Sequence, residues 1–275
     1  MSASLRRLRF GLATLLGRPR GWFIPHRYAE SCVAPAGYDA LEPIFAAAQP
    51  AMRALLDAAE PHAADFARFG GPPPNPRFEQ DWFPRLDAVA AYTMLRARKP
   101  ARLVEVGSGH STRVFARAIA DGGLATRITA IDPQPRADIA GLGIEIRREP
   151  VQRAPRGVFD RLSSGDMLAV DSSHVLMPGS DVDLLFADVL PRLPSGVVVH
   201  VHDIFLPDAY PASWAWRGYN EQNALAGFLS GGGWRVLWSS RYVATRMQAA
   251  FRDGALAALP LSDGAFETSL WLERC

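Results

Sequence analysis

Lysine is nearly missing from this chain of 275 residues: Lys99 stands alone, and every other basic side chain is an arginine. That bias fits a GC-rich coding sequence better than selection for phosphate recognition. Cysteine is equally scarce, with only Cys32 and Cys275 present, far apart and outside any CxxC spacing. Neither a disulfide framework nor a thiolate metal site is suggested, and a reducing cytoplasm is the expected setting. Net charge is lacking too. A formal +2 from 30 basic and 28 acidic side chains leaves no electrostatic footprint of a nucleic-acid binder, so a small polar or amphipathic substrate is expected as the partner. A homo-oligomer is compatible with the sequence but is not specified by it.

Long hydrophobic runs are also absent. Nothing approaches the roughly 18 uncharged apolar residues of a membrane span. The stretch Arg6-Arg7-Leu8-Arg9-Phe10-Gly11-Leu12-Ala13-Thr14-Leu15-Leu16 imitates a secretory leader. Its apolar part is short, however, and charge returns at Arg18 and Arg20. It reads as a surface helix, with an interfacial amphipathic helix as the alternative.

What is present is a hydrophobic content of 48%, enough for one principal α/β core with an appended helical segment. Residues 39–69 are alanine-rich and helical in pattern, interrupted by Pro43 and Pro50, and end at Gly70-Gly71-Pro72-Pro73-Pro74-Asn75-Pro76. A helix cannot continue through that run, which makes it the expected boundary between an N-terminal helical extension, 1–76, and a main domain, 77–275. Leu86, Val89, Ala90, Thr93 and Met94 then recur at helical spacing up to Lys99-Pro100. From residue 101 onward, apolar runs of strand length alternate with helical segments, the mark of βα units and a parallel sheet. Strands are predicted at 102–106, 127–131, 143–147, 167–170 and 197–201, with helices at 111–120 and 181–190. Residues 234–238 and 269–272 would add an antiparallel edge pair.

The first predicted strand runs into Gly107-Ser108-Gly109 and then a helix. Two residues without a Cβ let a nucleotide-like ligand approach backbone at a helix N-terminus. A dinucleotide fingerprint would need a third glycine where Thr112 stands, so a nucleoside without phosphates is the better fit. Asp132 closes the second strand, where its carboxylate could accept hydrogen bonds from ribose hydroxyls. Glu105 lies within the first strand, where it could face the cationic part of a ligand. Each has a plainer reading: Glu105 as a satisfied polar residue, Asp132-Pro133 as a turn, and the glycines as an ordinary tight loop.

The run Glu105-Val106-Gly107-Ser108-Gly109 resembles motif I of class I S-adenosylmethionine (SAM)-dependent methyltransferases, and Ile131-Asp132 looks like their acidic ribose-binding position. Together with Asp171-Ser172-Ser173-His174 and His200-Val201-His202-Asp203, these runs resemble methyltransferase family 24, a group related to macrocin-type sugar O-methyltransferases. The resemblance spans roughly residues 78–245. It implies a Rossmann-like, doubly wound, mostly parallel seven-stranded α/β sheet, with SAM held by Glu105, Gly107, Ser108, Gly109 and Asp132.

In such a sheet, ordered 3-2-1-4-5, the fourth and fifth strands are neighbours, about 5 Å apart. Asp171 with His174, and His202 with Asp203, can therefore converge at one edge. Asp171, His202 and Asp203 suit a divalent cation, Mg²⁺ or another. His174 would serve as general base, with Asp171 and Asp203 as its catalytic partners, a role the resemblance also implies for the Asp-x-x-His arrangement. The related enzymes carry an acidic pair after the fifth strand, and this chain departs from it at His202. His200, inside a strand, is expected to be a core histidine. Tyr210, Trp214, Trp216 and Tyr219, among prolines and a glycine, could form a substrate lid or ordinary loop packing.

The expected activity is methyl transfer to a hydroxyl of a small molecule, a sugar or natural product. Two alternatives stand beside it: a metal-assisted hydroxylase-like enzyme on the same scaffold, and a SAM-binding module without turnover.

Overall fold

The computed structural model describes residues 3–18, 20–22, 24 and 26–275. Among them, the segment with the most exposed apolar surface comes first, helix α1 (Ala3–Leu15). Three helices follow, α2 (Glu42–Ala47), α3 (Gln49–Ala59) and α4 (Ala63–Phe66). Pro43 and Pro50 stand in the first turns of α2 and α3. They start helices rather than interrupt one, because the amide hydrogen that proline lacks would have no intrahelical partner there.

Helix α5 (Arg85–Arg98) ends at Lys99, which takes the left-handed conformation at φ 49° just before Pro100. This is a regular helix stop. Strand β1 (Arg102–Val106), helix α6 (His110–Gly122), strand β2 (Arg127–Ile131) and strand β3 (Glu145–Arg147) come next. Helix α7 (Gly157–Asp160) precedes strand β4 (Met167–Val170). Helix α8 (Asp181–Leu184) continues through a π turn and a 3₁₀ turn to Arg192. Strand β5 (Val198–Val201), helix α9 (Glu221–Ser230), strand β6 (Trp234–Ser239), helix α10 (Ser240–Arg246) and strand β7 (Leu270–Arg274) complete the order.

The seven strands form one sheet in the order β3-β2-β1-β4-β5-β7-β6. The first five are parallel, and β7 runs antiparallel to both β5 and β6. The sheet is therefore Rossmann-like and doubly wound, as expected, with the last strand inserted beside β5 and β6 at the edge. All four residues of β4 and of β5 are buried. Strands covered on both faces favour unbroken apolar runs over alternation, which is the pattern of Met167–Val170 and, apart from the buried His200, of Val198–Val201.

Helices α2 to α4 share this core. Leu41, Phe45, Met52, Leu56 and Phe66 join the same buried cluster as the strand side chains, and Phe45 stacks on Tyr242 with ring centroids 5.8 Å apart.

Candidate active site

Register places the candidate residues in one row. Val106 pairs with Ile131 on one side and Val170 on the other, and Val170 pairs with Val201. The next residue of each strand is Gly107, Asp132, Asp171 or His202. Their backbones continue the ladder: Gly107 N donates to Ile131 O (3.0 Å), Asp171 N to Val106 O (2.9 Å) and His202 N to Val170 O (2.9 Å). Four candidate positions thus line up at the C-terminal edge of a parallel sheet, where ligands bind in such folds.

On the β1 side the row opens into a cavity of about 270 Å³. Gly107, Ser108, Gly109, Asp132 and Asp171 all line it. Gly107 has φ 81°, and a Cβ there would lie 1.8 Å from the Asp171 carbonyl oxygen. Only glycine permits this crossing of the two loops. Asp132 fixes the loop by accepting from Ser108 N (2.7 Å), Ser108 Oγ (2.9 Å) and Gln134 N (2.7 Å).

Glu105 lies behind the loop and off the cavity wall. Its carboxylate accepts from Ser111 Oγ and Thr112 Oγ1, both at 2.6 Å, while Thr112 Oγ1 accepts from Gly109 N (2.8 Å). The position that denies a third glycine therefore ties the loop to the start of α6. Burial pushes the Glu105 carboxyl up to about 8, against the pull of the two hydroxyls and with help from Asp171 and Asp132.

On the β5 side the row becomes a cluster of ionisable groups. His174 Nε2 lies 3.2 Å from Asp171 Oδ1 and 3.5 Å from Asp203 Oδ2. His202 Nδ1 lies 3.6 Å from Asp171 Oδ1 and 3.5 Å from Asp203 Oδ1. Two imidazoles and two carboxylates therefore alternate around one point. Each imidazole is held from behind by a carboxylate with no solvent exposure: His174 Nδ1 meets Glu221 Oε2 at 2.9 Å, and His202 Nε2 meets Asp87 Oδ2 at 3.1 Å. Asp87 is itself fastened by the amides of Thr268 and Ser269.

The electrostatics follow from this crowding. Burial works against charge on His174, but Asp171, Glu221 and Asp203 outweigh it and hold the imidazole well above its ordinary range. Burial is likewise overcome at His202, by Asp171, Asp203 and Asp87. Asp171 is held well below the usual carboxylate range, its burial outweighed by the two histidines. His174 and Asp203 both sit in left-handed backbone, at φ 60° and 56°. Among the described residues only Lys99 joins them as a non-glycine at positive φ, and it is a helix cap. Non-glycine residues held in this region cluster at functional sites.

Asp171 joins the two halves, since it lines the cavity and touches both histidines. His174, His202 and Asp203 stand behind it, off the cavity wall. His200 is apart from the cluster. Its Nε2 meets Ser269 Oγ at 2.9 Å, and burial, reinforced by His202, lowers it to about 3, as suits a neutral core histidine. Tyr210, Trp214 and Tyr219 pack together with Phe205, and the Tyr219 ring lies 4.6 Å from that of His174. Trp216 is exposed.

Four residues escape a reading of the motifs. Trp82 stacks on His110 at 5.4 Å, and the pair forms one wall of the cavity. A lone tryptophan before a helix carries no signal of this. Asp87 and Glu221 were open to detection: the first is a carboxylate on the apolar face of α5, and the second follows the aromatic loop directly.

Residues 104–204, from β1 to just past β5, match a family model described as a methyltransferase domain. The model is that of methyltransferase family 24. No curated protein matches the chain.

Solved structures similar to it include the methyltransferase PaMTH1 of Podospora anserina, bound to the demethylated cofactor SAH. It is 15% identical, with 93% of this chain and 99% of that one covered and a TM-score of 0.42. Another is the O-methyltransferase TomG of Streptomyces achromogenes, in complex with SAM. It is 16% identical, with 80% and 89% covered and a TM-score of 0.44. A third is an O-methyltransferase of Bacillus cereus in complex with SAH, 11% identical, with 81% and 91% covered and a TM-score of 0.43.

Proposed function

We propose that the chain transfers the methyl group of SAM to a hydroxyl of a small molecule, a sugar or natural product. In this reading residues 77–275 are the catalytic domain and 1–76 an extension to it. The observation that carries it is the shared position of Asp171, on the wall of the cofactor cavity and within reach of both histidines.

SAM would lie along the Gly107-Ser108-Gly109 backbone. Asp132 lines the cavity, and while its Oδ2 already accepts from Ser108 N and Ser108 Oγ, its Oδ1 accepts only from Gln134 N and keeps a second lone pair for a ribose hydroxyl. Glu105 would act from behind, by holding the loop through Ser111 and Thr112.

Methyl transfer from a sulfonium breaks the sulfur–methyl bond as the oxygen–methyl bond forms, so the acceptor hydroxyl must be aligned and must lose its proton. His174 Nε2 is the group suited to take it. Glu221 accepts from Nδ1–H, which fixes the tautomer and leaves the Nε2 lone pair toward Asp171 and Asp203. With those carboxylates uncompensated, however, His174 stays protonated and cannot act as a base.

The donor set answers this. Asp171, His202 and Asp203 each offer a ligand atom, all within 4.8 Å of one another. Asp87 holds His202 Nε2–H, so Nδ1, which faces Asp171 and Asp203, is the nitrogen a cation would take in place of a proton, an arrangement typical of metal-binding histidines. The residues thus fit Mg²⁺ or another divalent cation. Such a cation would offset the carboxylate charge around His174 and lower the pKa of an acceptor hydroxyl.

The test is label transfer from methyl-tritiated SAM to a panel of hydroxylated sugars and natural products, with and without chelator. Transfer is expected, reduced by chelator and by His174→Ala. Cofactor binding without transfer to any acceptor would favour a module without turnover. Full transfer in chelator would remove the cation from the account.

A further inference from the structure

Among the described residues, helix α1 and the segment after it bury nothing in the core, yet large apolar side chains are frequent there. Leu8, Leu12, Leu15, Leu16, Trp22 and Ile24 are all more than half exposed. On α1, Leu8, Leu12 and Leu15 repeat at intervals of four and three, so they share one face. Charge is equally one-sided. Arg6, Arg7, Arg9, Arg18, Arg20 and Arg27 all precede the first acid, Glu30, so the first 29 residues carry +6 while the rest of the chain carries −4.

We propose that α1 and the segment through Tyr28 form a docking surface for an anionic lipid bilayer. The chemistry selects this occupant over others. At 13 residues, α1 is about 20 Å long, too short to cross a hydrocarbon core of about 30 Å. A helix lying in the interface needs what this one has: an apolar face, arginines able to reach lipid phosphates, and no acidic group to be repelled. Trp22 and Tyr28, both exposed, are residue types favoured at headgroup depth. A second copy of the chain is a poor occupant, since self-pairing would bring arginine-rich segments against each other.

The segment enters the folded domain at the strand-tip edge. Tyr38 N donates to Pro207 O (2.8 Å) and Ala209 N to Ala36 O (3.0 Å), on the loop just beyond Asp203. Docking would therefore hold that edge of the domain close to the surface.

Vesicle co-sedimentation of the full chain tests this, with phosphatidylcholine alone and with added phosphatidylglycerol. Binding is expected only to the anionic vesicles and should weaken as salt is raised. A Leu8→Glu, Leu12→Glu double variant should bind roughly ten-fold more weakly or worse, with unchanged thermal unfolding. If that variant is poorly behaved, Arg7→Glu with Arg9→Glu should remove the preference for anionic vesicles. The proposal is overturned by absence of binding, by equal binding to neutral and anionic vesicles, or by variants that bind as the parent does. A lipid-free dimer dissolved by the leucine substitutions would assign the face to a second copy instead.

Discussion

The two halves of the site are built on opposite principles. On the β1 side, the cavity wall is a loop of small residues whose partners lie close in sequence or on the adjoining strand: Gly107, Ser108, Gly109 and, across from them, Asp132. On the β5 side, Asp171, His174, His202 and Asp203 depend on carboxylates brought from far along the chain, Asp87 on α5 and Glu221 on α9. Local backbone shape suffices to build such a cavity. A cluster of four ionisable groups must be fixed by buried partners, because each charge would otherwise be costly. The contrast predicts that damage on the first side should abolish cofactor binding, whereas damage on the second should abolish turnover and leave binding intact.

The largest effect is expected from Gly107→Ala. The added methyl group would meet the Asp171 carbonyl at 1.8 Å in backbone that disfavours a side chain. SAM affinity should fall at least about a hundred-fold, and stability by about 3 kcal/mol, as read by calorimetry and urea unfolding. Affinity close to the parent's would show that the two loops are not coupled.

On the other side, His174→Ala should lower turnover roughly a hundred- to ten-thousand-fold, the usual contribution of a general base, with cofactor affinity unchanged. Weakened SAM binding in that variant would blur the division between the halves. Asp87→Asn tests the support behind His202. It should weaken divalent-ion affinity about ten- to a hundred-fold, measured by metal titration, while sparing SAM binding.

The smallest effect is a pH dependence on the β1 side. Glu105 is pushed from an ordinary value of 4.5 up to about 8. Between those values the folded chain holds a proton that the unfolded chain has lost. Its contribution to stability is complete at low pH and declines as pH rises through about 8, at up to about 1.4 kcal/mol per pH unit. His200, lowered to about 3, acts in the opposite sense, since stability is lost as pH falls below its ordinary 6.5. The difference in urea stability between the parent and Glu105→Gln at pH 5 and pH 8 isolates the carboxyl, and a difference independent of pH would refute the shift.

The contrast also accounts for what could be read in advance. Strand positions and the order β3-β2-β1-β4-β5 follow from apolar runs alternating with helices, and the row Gly107, Asp132, Asp171, His202 follows from strand ends in register. The convergence of Asp171 with His202 and Asp203 was legible for the same reason, since β4 and β5 are neighbours. The partners were not. Nothing in the spacing links Glu221 to His174 or Asp87 to His202, because those contacts depend on how α9 and α5 pack on the sheet. Glu105 shows a subtler limit: its place in the strand was evident, but the hydroxyls of Ser111 and Thr112 turn it toward the loop's underside. Helices α2 and α3 begin at prolines that, from sequence, read as interruptions.

The most direct test compares two variants by calorimetric titration of SAM, in the presence of Mg²⁺. Asp132→Ala should lose most of the parent's affinity, and Asp203→Ala should retain nearly all of it. Equal losses in the two variants, or no binding of SAM to the parent, would contradict the assignment of the β1 side to the cofactor and the β5 side to the chemistry.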